Sequence, residues 1–157
     1  MRIGHSYDIH RLEEGHNLIL GGIKIEHHKG LVGHSDADVL LHAITESIIG
    51  AMGLGDIGTL FPDTDPQYKG IDSMILLENV IEVMKQKKYK IVNFDATLYL
   101  EKPIMRPHMD NIKKNIATSI NLCESRINIK ATRGERLGFI GREEGIAAEC
   151  VVLLEND

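Results

Sequence analysis

Asp8 and His10 stand two positions apart in the run SYDIHR, residues 6–11. Strand side chains repeat every second residue, so the carboxylate and the imidazole fall on one face. The alternation places Ile3, His5, Tyr7 and Ile9 on one side and Gly4, Ser6, Asp8 and His10 on the other. A third donor would complete a catalytic-type zinc site, with three protein ligands and one open position. His42 is the candidate, one turn after Asp38 on an otherwise apolar helical stretch. Spacing alone leaves a second reading standing, because D-x-H is short and common. In it His42 is a core histidine with a hydrogen-bond partner and Asp8 is a strand-end carboxylate facing water. His16 and the pair His27–His28 read as surface residues in or beside loops.

Other polar groups gather in three places. GHSDAD sets His34, Ser35 and Asp36 at the start of a helix, where free N–H groups favour an anion; a capping box of Ser35 and Asp38 explains the same residues. In the loop 54–71, Asp56, Asp63 and Asp65 stand beside Gly55 and Gly58. These carboxylates could accept hydrogen bonds from a polyol or simply make turns. Glu135 follows a strand in ATRGERLG and has the chemistry to ligate a hard divalent ion such as Mg²⁺; on spacing alone it is a surface glutamate.

The elements that must position these groups follow from periodicity. NLILGGIKIE predicts a hairpin around Gly21–Gly22. Leu41, Ile44, Ile48 and Met52 predict a helix that Gly53 stops. Asp72 caps a second helix reaching about Lys88, with Met74, Leu77, Val80, Ile81 and Met84 as its apolar stripe. YKIVNFDATLYLE is a strand. Pro107 starts a third helix carrying Ile112, Ile116 and Ile120. INIKAT and IAAECVVLL are the last strands, and the second is apolar on both sides, which predicts burial of both faces. Strands and helices do not alternate strictly, so the fold class is α+β: a single domain over 1–157, with a mixed sheet and helices on one face.

The chain has 157 residues, enough to bury a core without disulfides. Its net charge of −5 excludes bulk attraction to nucleic acid or anionic lipid, so an anionic substrate needs a local cation or donors. Cys123 and Cys150 form no CxxC pair and read as buried, reduced thiols. No basic head precedes an apolar core at the start, and no apolar run reaches membrane-spanning length. The chain reads as a soluble, cytoplasmic protein of bacterial type, with a mature organellar form as the alternative.

MRIGHSYDIHR, GHSDADVLLHAITESIIGAMGLGDIGTLFPDTDP, KGIDS and LGFIGREEGIAAE together resemble the 2-C-methyl-D-erythritol 2,4-cyclodiphosphate synthase family, in order and over nearly the whole chain. The resemblance implies a phosphorus–oxygen lyase of the non-mevalonate isoprenoid route. In its reaction the 2-phosphate of 4-diphosphocytidyl-2-C-methyl-D-erythritol 2-phosphate attacks the β-phosphorus of the same molecule, expelling CMP. It implies one Zn²⁺ per subunit on Asp8, His10 and His42, and a Mg²⁺ or Mn²⁺ on Glu135. His34 and Ser35 would hold phosphate oxygens. Asp56, Ile57, Gly58, Phe61, Pro62, Asp63, Thr64 and Asp65 would grip the methylerythritol. Cytosine would enter a backbone-lined pocket at Leu100, Glu101, Lys102, Pro103, Ile104, Met105 and Arg106, closed by Ala131 and Thr132. Gly134 and Phe139 complete the substrate-binding set. The resemblance further implies a homotrimer with active sites between subunits, and an isoprenoid diphosphate near Arg142 in the central cavity.

The sequence departs from the family at several positions. Arg133 stands where threonine is usual, followed by Gly134. Two roles stay open there: Arg133 charges the reacting phosphates, or it turns outward and leaves them to Thr132 and backbone amides. Ile104 replaces a frequent lysine, and Glu143 stands where glycine is usual. Two other functions compete, a zinc-dependent phosphohydrolase of a small phosphorylated metabolite and a non-enzymatic isoprenoid-diphosphate-binding module.

Overall fold

The structure, a computed structural model, describes residues 1–62, 64–68 and 70–156. The chain begins with β1 (Arg2–Glu14), the hairpin β2 (Leu18–Leu20) and β3 (Ile23–Ile25), and β4 (Lys29–Val32). The helices α1 (Val39–Met52), α2 (Ile57–Leu60) and α3 (Ser73–Gln86) follow. Then come β5 (Tyr89–Tyr99), α4 (Met109–Ser119), β6 (Ile127–Thr132), the short α5 (Gly138–Gly141) and β7 (Gly145–Asn156). The main sheet runs β4-β1-β7-β5-β6. Only β5–β6 is parallel; the other three pairings are antiparallel. This is the mixed-sheet α+β fold that the element order predicts.

The hairpin, α1, α3, α4 and the long strands lie where periodicity places them. Three expectations need correction. β4 has no sequence pattern of its own: four residues pair at the sheet edge with Arg11–Glu14 of β1. The helix start is set by Asp38 and not by a Ser35 box: the Asp38 carboxylate accepts from Leu41 N–H at 3.0 Å. It also accepts from Gly22 N–H at 2.7 Å, so the β2–β3 turn selects it as the cap. Cys123 is exposed, and only Cys150 is buried, its thiol pushed up to about 12 by burial.

The core lies between one face of the sheet and α1, α3 and α4. Leu41, Ile44 and Ile48 of α1, Leu77 and Val80 of α3, Ile112 and Ile116 of α4, and Phe94, Leu98, Val152 and Leu154 from the sheet are all buried. Gly4 lets α1 come down on β1: a Cβ there would sit 1.8 Å from the Ser47 carbonyl oxygen. At the helix end, Gly53 takes the left-handed conformation, φ 72°, and its N–H closes on Gly50 and Ile49 carbonyls. The expectation that β7 is buried on both faces is half met. Its inner residues Ile146, Ala148, Cys150, Val152 and Leu154 are buried, but Val151 on the outer face is 44% exposed. On that side Ala147 is buried and Leu153 half-buried, so within one chain it is Val151 that is left uncovered. Among the described residues no helix is long and apolar enough to cross a membrane.

Candidate metal centre and phosphate site

Asp8 and His10 project from β1 and His42 from α1, and one ligand atom of each lies within 4.8 Å of the others. Asp8 Oδ2 is 3.2 Å from His10 Nδ1 and 3.2 Å from His42 Nδ1. The imidazoles face each other at 5.0 Å between centroids. His10 Nδ1 is enclosed, and although near Asp8 it lies off the hydrogen-bonding direction and has no partner. Gly33 makes room for this ring, since a Cβ there would come within 3.0 Å of it. Burial opposes the ionisation of Asp8, but its close contacts with the His10 and His42 rings outweigh it and hold the carboxyl well below its usual range.

His42 is oriented from behind. Its Nε2 lies 2.9 Å from Ser73 Oγ and 3.0 Å from Ser35 Oγ. Ser73 Oγ–H donates to Asp36 Oδ1, which leaves the hydroxyl oxygen to accept the Nε2 proton. Nδ1 lies within hydrogen-bond distance of Asp8 Oδ2, at 3.2 Å, and the tautomer that donates Nε2–H to Ser73 would free the Nδ1 lone pair for a cation there. Two imidazole nitrogens and a carboxylate oxygen then converge, one nitrogen unpartnered, and a divalent cation makes three such electron-rich atoms compatible. The donor set therefore fits a metal ion.

Beside the cluster opens a cavity of about 340 Å³, lined by His10, His34, Ser35 and His42 on one side and by Ile57, Gly58, Phe61, Tyr68, Ile71 and Leu76 on the other. Asp56 caps α2 through Thr59 N–H at 2.8 Å, so its carboxylate is spent partly on the loop. Glu46 ties this loop to the strand, accepting from Ser6 Oγ at 2.7 Å and from Ile57 N–H at 3.4 Å. Pro62 and Thr64 are not part of that cavity lining, and Asp65 lies in the same loop with its N–H on the Pro62 carbonyl. Asp63 lies outside the described residues.

The remaining expected site residues gather elsewhere. Leu100, Glu101, Pro103, Ile104, Met105, Arg106, Ala131, Thr132 and Arg133 line a pocket of about 250 Å³ at the ends of β5 and β6. Glu135, Arg133, Glu101 and Lys102 line an adjoining space of about 920 Å³. Gly134 packs against the Gly141 backbone, and Phe139 lies against Gly145. Arg142 is engaged by Glu144 through two hydrogen bonds, 2.8 and 3.1 Å. Among the described residues, neither of these spaces shares a lining residue with the cavity beside the metal cluster.

Sequence reading missed Ser73, Glu46, Tyr68 and Ile71. Ser73 follows the capping Asp72, and a helix start already explained left no signal for its hydroxyl.

The YgbB family profile matches residues 1–155. The chain belongs to the YgbB family. Its YgbB relatives include the 2-C-methyl-D-erythritol 2,4-cyclodiphosphate synthases of Fusobacterium nucleatum and Geobacter sulfurreducens, 54% and 55% identical over 156 residues. Those alignments cover 99% of this chain and 98% and 99% of the relatives. Among solved structures, the CDP complex of Plasmodium falciparum IspF superposes with a TM-score of 0.87 at 38% identity, covering 99% of this chain and 96% of that one.

Proposed function

We propose that this chain converts 4-diphosphocytidyl-2-C-methyl-D-erythritol 2-phosphate to 2-C-methyl-D-erythritol 2,4-cyclodiphosphate and CMP, a reading supported by relatives named as 2-C-methyl-D-erythritol 2,4-cyclodiphosphate synthases. The observation that carries this reading is the convergence of Asp8, His10 and His42, with a nitrogen of His10 unpartnered, beside a cavity of about 340 Å³ that His10 and His42 help line.

The nucleophile is an oxygen of the substrate's own 2-phosphate, so no side chain need be activated. A new P–O bond forms at the β-phosphorus while the bond to the bridging oxygen breaks, and CMP leaves with the electron pair. The work left to the protein is alignment and charge neutralisation. Asp8, His10 and His42 would hold Zn²⁺, and Glu135 a Mg²⁺ or Mn²⁺; when bound, these ions withdraw charge from the phosphate oxygens. His34 and Ser35 donate to phosphate oxygens beside the cluster. Ile57, Gly58 and Phe61 enclose the methylerythritol and exclude water, with Asp56, Pro62, Thr64 and Asp65 supplying the rim. Leu100–Arg106 with Ala131 and Thr132 take the cytosine, and the CDP bound by a relative of the same fold supports a nucleotide pocket. Arg133 lines both the nucleotide pocket and the space around Glu135, which supports the reading that it charges the diphosphate.

The metal cluster and the nucleotide pocket are separate within one chain. A homotrimer, with each site completed by a neighbour, would unite them. The outer sheet face supports this: Ile3, Tyr7 and Ile9 of β1 are 72%, 51% and 47% exposed, and Val151 pairs beside them on β7. An isoprenoid diphosphate in the central cavity would have to displace Glu144 from Arg142.

Incubation with the cytidyl substrate, Zn²⁺ and Mg²⁺ in ¹⁸O-water tests the reaction. Phosphorus NMR should show a cyclic diphosphate with CMP and no label. Label in the product phosphate would overturn cyclisation in favour of hydrolysis.

A further inference from the structure

His27 and His28, just before β4, meet Glu143 from the turn before β7, and one ligand atom of each lies within 4.8 Å of the others. We propose that this cluster is a further metal site, apart from the Asp8–His10–His42 cluster and from Glu135, binding a divalent transition cation such as Zn²⁺ or Co²⁺.

His27 and His28 were expected at the open surface. Instead, His27 is half-buried, and its Nε2 is enclosed by protein without a hydrogen-bond partner. An enclosed polar atom left unpaired is costly, and a cation accepting its lone pair removes the cost. The two rings pack edge to face at 4.4 Å between centroids.

Glu143 is held in place by its backbone. Its N–H donates to the Ile140 carbonyl at 3.0 Å, and its carbonyl accepts from Lys29 Nζ at 3.1 Å. Its φ of 54° is a left-handed conformation that glycine adopts without strain. Two imidazoles and one carboxylate suit a borderline ion and disfavour Mg²⁺ or Ca²⁺, which prefer all-oxygen shells. The competing cation is Lys102, 3.4 Å from Glu143 Oε1, and this lysine side chain is 64% exposed. It can swing away at little cost, because a surface ion pair contributes little. His27 and Glu143 also line the space that holds Glu135 and Arg133, so a bound ion would add positive charge to the wall facing a diphosphate there.

The test is Zn²⁺ stoichiometry on metal-free full-length protein, by equilibrium dialysis with elemental analysis, and Co²⁺ absorption as a spectroscopic readout. The parent should bind two equivalents per chain. His42→Ala should lose one. His28→Ala or Glu143→Gly should lose the other, with the remaining Co²⁺ spectrum that of the first site. His28 is exposed and position 143 has a glycine-type backbone, so both variants should fold, with circular dichroism as the check. A single equivalent in the parent, or a second equivalent that survives His28→Ala/Glu143→Gly, overturns the proposal.

Discussion

Gly4 of β1 meets the carbonyl oxygen of Ser47 on α1 so closely that a methyl group would lie 1.8 Å from it. The strand carries two donors of the metal cluster and the helix carries the third, so this contact sets their separation. Gly4→Ala should destabilise the fold by about 1–3 kcal/mol through overpacking. Urea unfolding with an unchanged m-value would read this. Zn²⁺ affinity should weaken in parallel, and a variant of unaltered stability and affinity would show that the contact constrains neither.

Ser73 acts on the metal only through His42. Ser73→Ala should weaken Zn²⁺ binding by about 10–100-fold, as loss of an outer-shell partner does. Competition against a chelator reads the affinity. Ser73→Thr, which keeps the hydroxyl, should restore most of it. Equal affinity in Ser73→Ala and parent would remove Ser73 from the site.

The uncovered sheet face predicts an assembly that charge would break. Ile3→Glu/Val151→Glu should be monomeric by light scattering while keeping Zn²⁺ at Asp8, His10 and His42, which all belong to one chain. Turnover should be lost. A monomeric variant with parental activity would contradict a site completed between subunits.

Asp38 predicts a pH effect. Burial raises its carboxyl to about 6, against the bonds from Gly22 and Leu41 amides that favour the charge. Because the folded value lies above the unfolded one, the group's contribution is fully present below about pH 4 and is lost as pH rises through about 6. The stability of the parent relative to Asp38→Asn should therefore fall between pH 4 and pH 7, read from urea midpoints. Asp38→Ala should cost about 1–2 kcal/mol for the lost cap near pH 4 and less as pH rises toward 7. A parent-to-Asn difference that is flat with pH would show that Asp38 stays charged when buried.

Much of the site was legible because its donors sit on regular elements. The period-two alternation of β1 put Asp8 and His10 together, and the apolar stripe of α1 isolated His42. What local pattern could not show is settled by partners distant in sequence. Ser35, Asp36 and Asp38 are all competent caps, and the Gly22 amide from the hairpin decides among them. β4 exists because β1 offers an edge. His27 reads as a loop residue until Glu143 arrives from the far end of the chain. The nucleotide pocket, largely backbone, came from the family resemblance alone.

That the metal-side cavity and the nucleotide pocket have no lining residue in common among the described residues has a consequence for the cell. On the proposed assembly, catalytic output tracks protein concentration more steeply than linearly near the subunit dissociation point. Dilution then silences the pathway step while every polypeptide remains folded, and two differently crippled copies, mixed, restore part of what each has lost.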